Sequence, residues 1–296
     1  MTPPDGVDGF LLVDKPAAWT SHDVVARVRS IIGGRKVGHA GTLDPMATGL
    51  LVLGIGRATR LLRFVQDAPK VYVAMARFGV ATESLDADGA VLWREPMPIE
   101  AGDVEQVMKR FVGEILQVPP MVSAVRVEGR RLYQLAREGK TVERKARPVT
   151  IHELRLLEFA PSDYPEVTFL VRCSKGTYVR TLADDLGRAL GGRAHLASLR
   201  RTAIGSLRVD DSHPVDGITS DGWRELLLTP AAGLADLPAV EVGEDLEHAI
   251  GHGVAVAGHE LGNPVPGPLR MLDGEGRLLA VYRSEGARAS AEVVLS

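Results

Sequence analysis

The chain has 296 residues, 45% of them hydrophobic and 25% charged, as expected of a globular protein with one large domain and a small one. No apolar run approaches the roughly 20 residues of a membrane-spanning helix, and MTPPDGVDGF lacks the basic and apolar regions of a signal peptide, so a cytoplasmic protein is expected. The single cysteine, Cys173, excludes an intrachain disulfide and a cysteine-rich zinc site, and a net charge of −3 gives no overall attraction for a polyanion.

Along the chain, GFLLVDKP (9–16) reads as a short apolar strand ending in a turn. SHDVVARVRSII (21–32) has helical spacing, with Ser21 as candidate N-cap, Val24, Val28 and Ile31/Ile32 on one face, and Gly33-Gly34 as its stop. GHAGTLDPMATGLL (38–51) is a punctuated turn. Pro45 disfavours helix at Asp44, and Gly38, Gly41 and Gly49 permit conformations or close approaches that other residues resist. GLLVLGI (49–55) is apolar throughout, as a strand buried on both faces would be. ATRLLRFVQDA (58–68) reads as helix, KVYVAMARFGV (70–80) as a long strand, and DADG (86–89) as a hairpin turn.

A helix is expected over 101–116, stopping before Pro119-Pro120. VSAVRVEGRRLYQLAREG (122–139) reads as strand, turn and short basic helix, and 147–159 and 166–174 as two strands. KGTYVRTLADDLGRAL (175–190) turns into a helix with Leu182, Leu186 and Leu190 aligned, followed by a strand within 194–207. TPAAGLADLPAV (229–240) reads as a linker, and 270–284 as a hairpin around Asp273-Gly274 within a β-rich tail of about 60 residues. Strands and helices mix without a strict βαβ rhythm. The expected class is therefore α/β (α+β), with a mixed, largely antiparallel sheet and flanking helices.

The charge is segregated. Residues 229–296 hold 4 Lys/Arg against 10 Asp/Glu. Val24–Arg63 holds seven basic residues (Arg27, Arg29, Arg35, Lys36, Arg57, Arg60 and Arg63) and one acid, Asp44, while 121–150 holds eight basic residues and three acids. Such clustering fits a polyanion footprint, although arginines on a helix are more often a solvated face.

The usual cofactor motifs are absent. No P-loop occurs, GIG at 54–56 lacks the rest of a dinucleotide fingerprint, and no serine sits in a G-x-S-x-G elbow. His248 and His252, with His259 nearby, hint weakly at a metal, but Gly251 and Gly253 should interrupt a helix there, so no metal site is assigned. What remains is a loop-borne carboxylate, several arginines and the strand-to-helix junction CSKGTYVRT (173–181), with Lys175, Tyr178 and Arg180. An acid that acts as nucleophile or base must stay ionised, and a nearby arginine would hold it so. The plain alternatives are that Asp44 caps a turn and that Tyr72, in KVYVAM, is half-buried packing.

The segments DKP (14–16), GHAGTLDPMATGLL, KVYVAMARFG, PPMVSAVRVEGRRLYQLAREG and CSKGTYVRT occur in this order. Together they closely resemble the bacterial tRNA pseudouridine-55 synthase family, the TruB type. The resemblance runs from about Gly9 to Ile204 and implies a catalytic domain over 9–228, including a basic thumb-like segment at about 121–150. It also implies a small PUA-like domain over 229–296.

By that resemblance Asp44 matches the catalytic aspartate, Tyr72 the tyrosine that packs on the target base, and Arg180 the arginine that pairs with the aspartate. Tyr178 and Leu199 match pocket positions, Lys15 and Lys175 fall in basic motifs, and His39 matches a histidine that holds the RNA loop once its nucleotide is flipped out. Arg126, Arg130, Arg131, Arg144 and Lys145 would contact phosphates, giving salt-sensitive affinity. The implied substrate is tRNA, through its T-arm. Isomerisation of a glycosidic bond needs no cofactor, and no membrane or protein partner is implied, with a monomer the simplest state. The acidic tail departs from what an RNA-gripping domain should show. Two alternatives stay open, namely a pseudouridine synthase acting on another RNA and a non-catalytic RNA-binding or folding protein.

Overall fold

The structure, a computed structural model, describes residues 7–121, 138, 142–262 and 264–295, and the backbone of 126–127 and 130–131. Most of 122–139 lies outside the described residues, but two short strands there, Arg126–Val127 and Arg130–Arg131, pair antiparallel. The chain forms two compact, interleaved units. One comprises 1–45, 49–68 and 204–296, and the other 46–48 and 69–203.

In the first unit, strand Gly9–Lys15 runs antiparallel to Thr48–Ile55, in register from Gly9 opposite Ile55 to Lys15 opposite Gly49. It pairs on its other side with His213–Pro214 (parallel) and Leu227–Leu228 (antiparallel). Residues 49–55 are all buried, as the unbroken apolar run requires. Helix Ser21–Ile31 buries Val24, Val25 and Val28 against Leu11, Leu51, Leu53 and Trp223. Its N-cap is Thr20, not Ser21. Thr20 accepts from the Asp23 N–H, and Asp23 accepts from the Thr20 N–H, closing a capping box. The helix expected over 58–68 divides into a 3-10 turn, Gly56–Arg60, and helix Leu62–Asp67.

The same unit contains a five-stranded sheet, Ala239–Glu241, Gly267–Leu272, Leu278–Ser284, Arg288–Val294 and Val256–Ala257 in that spatial order. The hairpin expected at Asp273-Gly274 is present. The expected linker instead contains a short helix, Pro230–Gly233, capped by Thr229. Leu278, Val281, Val293 and Leu295 share one core with Phe10, Leu12, Leu61, Leu62, Phe64 and Val65, so the β-rich tail is packed onto the N-terminal strands.

In the second unit the strand order is Ala194–Ile204, Lys70–Phe78, Glu166–Cys173, Arg147–Ala160 and Gly113–Gln117. The last three pairings are antiparallel. Strands Val80–Thr82 and Val91–Arg94 form the hairpin whose turn DADG marks. The helix expected over 101–116 ends at Arg110. Gly113, at φ +109°, turns the chain into strand Gly113–Gln117, where alternation replaces the helical period. Helix Val179–Ala189 buries Leu182, Ala183 and Leu186. The mixed, largely antiparallel sheets with flanking helices are the class expected from the sequence. Among the described residues no helix is long and apolar enough to cross a membrane.

Candidate active site

Asp44 lies on irregular backbone just before strand Thr48–Ile55 and is half-buried. The residues on both sides of it are anchored. Before it, the Ser21 hydroxyl accepts from the Leu43 N–H at 2.9 Å and lies 3.3 Å from the Leu43 carbonyl, to which it donates. After it, the Pro45 carbonyl accepts from the Ala18 N–H at 2.9 Å and from Lys15 Nζ at 3.2 Å. Gly41 (φ +88°) and Gly49 (φ +98°) supply the left-handed backbone that brings the chain in and out of this turn.

Lys15 corrects an expectation. Placed by resemblance among RNA-contacting residues, it is fully buried, and its ammonium also donates to Trp19 O at 2.6 Å and Pro16 O at 2.8 Å. A cation enclosed by backbone carbonyls is part of the turn's scaffold and is not placed to meet a phosphate. His39 ends strand Val37–His39, half-buried, with its ring 5.5 Å from that of the exposed His22 and its carbonyl accepting from Gln66 Nε2 at 3.3 Å.

The second unit brings Lys175, Tyr178 and Arg180 together on one junction. Lys175 is exposed in a turn closed by Thr177 Oγ1 donating to Ser174 O at 3.0 Å. Tyr178 is the N-cap of helix Val179–Ala189 and supplies no side-chain cap. Its N–H donates to Gln117 Oε1 at 2.8 Å, and its carbonyl accepts from Gln117 Nε2 at 3.1 Å. Arg180 is 3% exposed, with Nη1 at 3.1 Å from both Asp86 Oδ2 and Ser84 O. Asp86, 4% exposed, also accepts from the Ser84 hydroxyl and the Asp88 N–H. This carboxylate therefore meets the guanidinium with its remaining acceptor sites occupied, as a buried ion pair requires.

Tyr72 is half-buried on strand Lys70–Phe78, opposite Val171, and Leu199 is nearly buried on strand Ala194–Ile204. Arg144 donates to Pro119 O at 3.1 Å, and Lys145 is exposed. The side chains of Arg126, Arg130 and Arg131 lie outside the described residues. Cys173 is buried, and burial pushes its thiol up to about 11, so it is no nucleophile at neutral pH.

The basic stretch Val24–Arg63 is largely committed within the fold. Arg29 donates to Val37 O, Arg57 pairs with Asp8, Arg60 donates to Val294 O, and Arg63 pairs with Glu292. Four of the seven cations counted as a polyanion footprint thus tie the first unit together. On the tail, helix Glu244–Gly251 stops at Gly251 with His252 as its C-cap, in keeping with the interruption expected from Gly251 and Gly253. His248 and His252 stack at 4.3 Å, and no group of three or more His, Cys, Asp or Glu among the described residues could hold a metal ion. No sequence signal points to Gln117, and Asp86 is marked only as a turn residue.

The first unit thus holds Asp44 on an anchored turn, and the second holds a buried Arg180 and a half-buried Tyr72 on strand Lys70–Phe78. Residues 29–179 match the TruB family pseudouridylate synthase (N terminal domain), and residues 180–224 the tRNA pseudouridylate synthase B C-terminal domain. The chain belongs to the TruB family of pseudouridylate synthases, which are isomerases. It is 43% identical over 295 residues to the tRNA pseudouridine synthase B of Thermobifida fusca, covering 98% of this chain and 99% of the relative. That of Moorella thermoacetica is 46% identical over 290 residues, covering 94% of each. Among solved structures, a chain of the Cbf5-Nop10-Gar1 complex superposes with a TM-score of 0.73 at 26% identity, covering 97% of this chain and 84% of that one.

Proposed function

We propose that this enzyme converts uridine to pseudouridine at position 55 in the T-loop of tRNA, with the target base flipped out and Asp44 as the essential acid. The observation that carries the reading is the Asp44 turn, whose backbone is anchored at Leu43 and at Pro45 by groups from the N-terminal strand and helix. That anchoring suits a side chain that must meet one atom of a substrate. The N1–C1′ bond of uridine breaks, a C5–C1′ bond forms, and the C5 hydrogen leaves as a proton while N1 gains one, so no redox partner enters.

In this reading Arg180 keeps Asp44 ionised, Tyr72 stacks on the base, and Tyr178 and Leu199 line its pocket. His39 holds the loop from which the base has left. Lys175, Arg126, Arg130, Arg131, Arg144 and Lys145 meet phosphates, and affinity falls as salt rises. Residues 9–228 are the catalytic region and 229–296 a PUA-like domain that adds little to affinity. The enzyme works as a cytoplasmic monomer.

The test is tritium release from an unmodified tRNA transcript labelled at uridine C5, with the labelled position mapped. Asp44→Asn should lower release by about a thousandfold or more while RNA binding persists. Binding without release by the unsubstituted protein overturns the reading for this RNA, and release from a uridine elsewhere redirects it.

A further inference from the structure

We infer that Gln117 is a positioning residue that couples the root of the basic segment to the Tyr178–Arg180 junction. The inference rests on the reading above, in which that segment grips RNA.

Strand Gly113–Gln117 is the last of its sheet order, and Gln117 is its final residue. Its partner across the ladder is Arg147, the first residue of strand Arg147–Ala160. Gln117 and Arg147 therefore form the residue pair that closes the sheet on either side of 118–146, and just outside it Arg144 donates to Pro119 O. At this neck the Gln117 side chain is 2% exposed and turns inward. Its amide makes two bonds to a single residue, accepting the Tyr178 N–H and donating to the Tyr178 carbonyl.

That pattern is how a β-strand grips its neighbour, supplied here by a side chain across 61 positions. Glutamine has both the donor and the acceptor it needs, and glutamate would lose the donor. Helix Val179–Ala189 has no side-chain cap of its own, so Gln117 holds the residue from which the helix starts. Arg180 follows two residues later. A second tie runs alongside, because the Ser174 N–H donates to the Thr150 carbonyl and the Ser174 hydroxyl accepts from the Thr150 N–H, each at 2.9 Å. A displacement of the neck is thus carried to Tyr178 through its backbone, and from there to the orientation of Arg180.

The experiment compares the full-length protein with Gln117→Ala and Gln117→Glu. Tritium release is measured at saturating and limiting tRNA, and amide hydrogen exchange is followed over 174–182 with and without tRNA. For Gln117→Ala the saturated rate should fall about tenfold, with KM within about twofold. Exchange at 174–182 should accelerate, and tRNA should no longer slow it. Gln117→Glu keeps the acceptor for the Tyr178 N–H and should recover part of the rate. If Gln117→Ala does not fold, the Glu variant carries the same test at smaller amplitude. A wild-type rate, a loss carried by KM alone, or unchanged exchange at 174–182 overturns the coupling. If the unsubstituted enzyme releases no tritium while the variants still accelerate local exchange, the coupling stands and the proposed reaction falls.

Discussion

The Asp44 turn and the Tyr178–Arg180 junction solve the same problem by different means. Around Asp44 the grip is on backbone: Ser21 holds Leu43, while Ala18 and Lys15 hold Pro45. At the junction the arginine is gripped by its own head group, through a carboxylate 3.1 Å away and nearly as buried. A backbone grip fixes where a side chain starts. A carboxylate grip fixes where a cation ends, and also balances its charge. Losing an anchor should therefore cost mainly geometry in the first case and mainly electrostatics in the second.

The largest effect should come from Asp86→Ala. It leaves Arg180 buried beside a vacancy, which costs about 3–5 kcal/mol of stability. A fall in Tm of roughly 10 °C is expected, together with strong loss of tritium release. Asp86→Asn should lie between, because it keeps an oxygen for the guanidinium and loses the charge. Calorimetry and release assays on both variants decide the matter. An Asp86→Ala protein of full stability would mean that Arg180 is balanced mainly by other groups.

A smaller and sharper break is available at the turn. Ser21→Ala strands the buried Leu43 N–H, worth about 1–3 kcal/mol. It should lower the release rate about tenfold with KM unchanged. The neighbouring Thr20→Ala removes only the helix cap, at a cost of about 1 kcal/mol. It should lower Tm and leave the rate within about twofold. If the two variants lose rate equally, the turn depends on the helix as a whole, and Ser21 has no separate part in placing Asp44.

These anchors also mark where sequence reading stopped. Strands, the main helices, the DADG hairpin and the Asp44 turn were legible because alternation, helical spacing, glycine and proline act locally. Ser21 was read as an N-cap from the same local logic, yet Thr20 caps the helix and Ser21 bonds 22 positions away. Gln117 and Asp86 act across 61 and 94 positions, and no periodicity encodes such a meeting. The arginine count likewise carries no information on partners distant in sequence. Arg60 and Arg63 read as an exposed basic face until their partners at 294 and 292 close on them. Lys15 sits in a motif rich in turn residues, and only the paths of 16, 19 and 45 around it explain why a lysine there is buried.

The helix that starts at the junction carries a separate charge effect, and pH reveals it. Asp185, half-buried five residues beyond Arg180, has its carboxyl pushed from 3.8 up to about 6 by burial, reinforced by the Asp184 charge and opposed by Arg188. Asp184 is itself satisfied, held by Arg188 at 2.9 Å and by Arg193 at 2.7 Å. A carboxyl whose folded pKa is raised holds its proton more tightly in the folded state than in the unfolded one. Stability should therefore decline as pH rises from about 4 through about 6, and the penalty should stay constant above that. Asp185→Asn removes the ionisation. It should raise Tm by on the order of a few degrees at pH 7 to 8, with the gain vanishing near pH 4. Melting curves of both proteins across this range supply the check. A difference that does not change with pH would mean that the substitution acts through packing, and that ionised Asp185 costs the helix nothing.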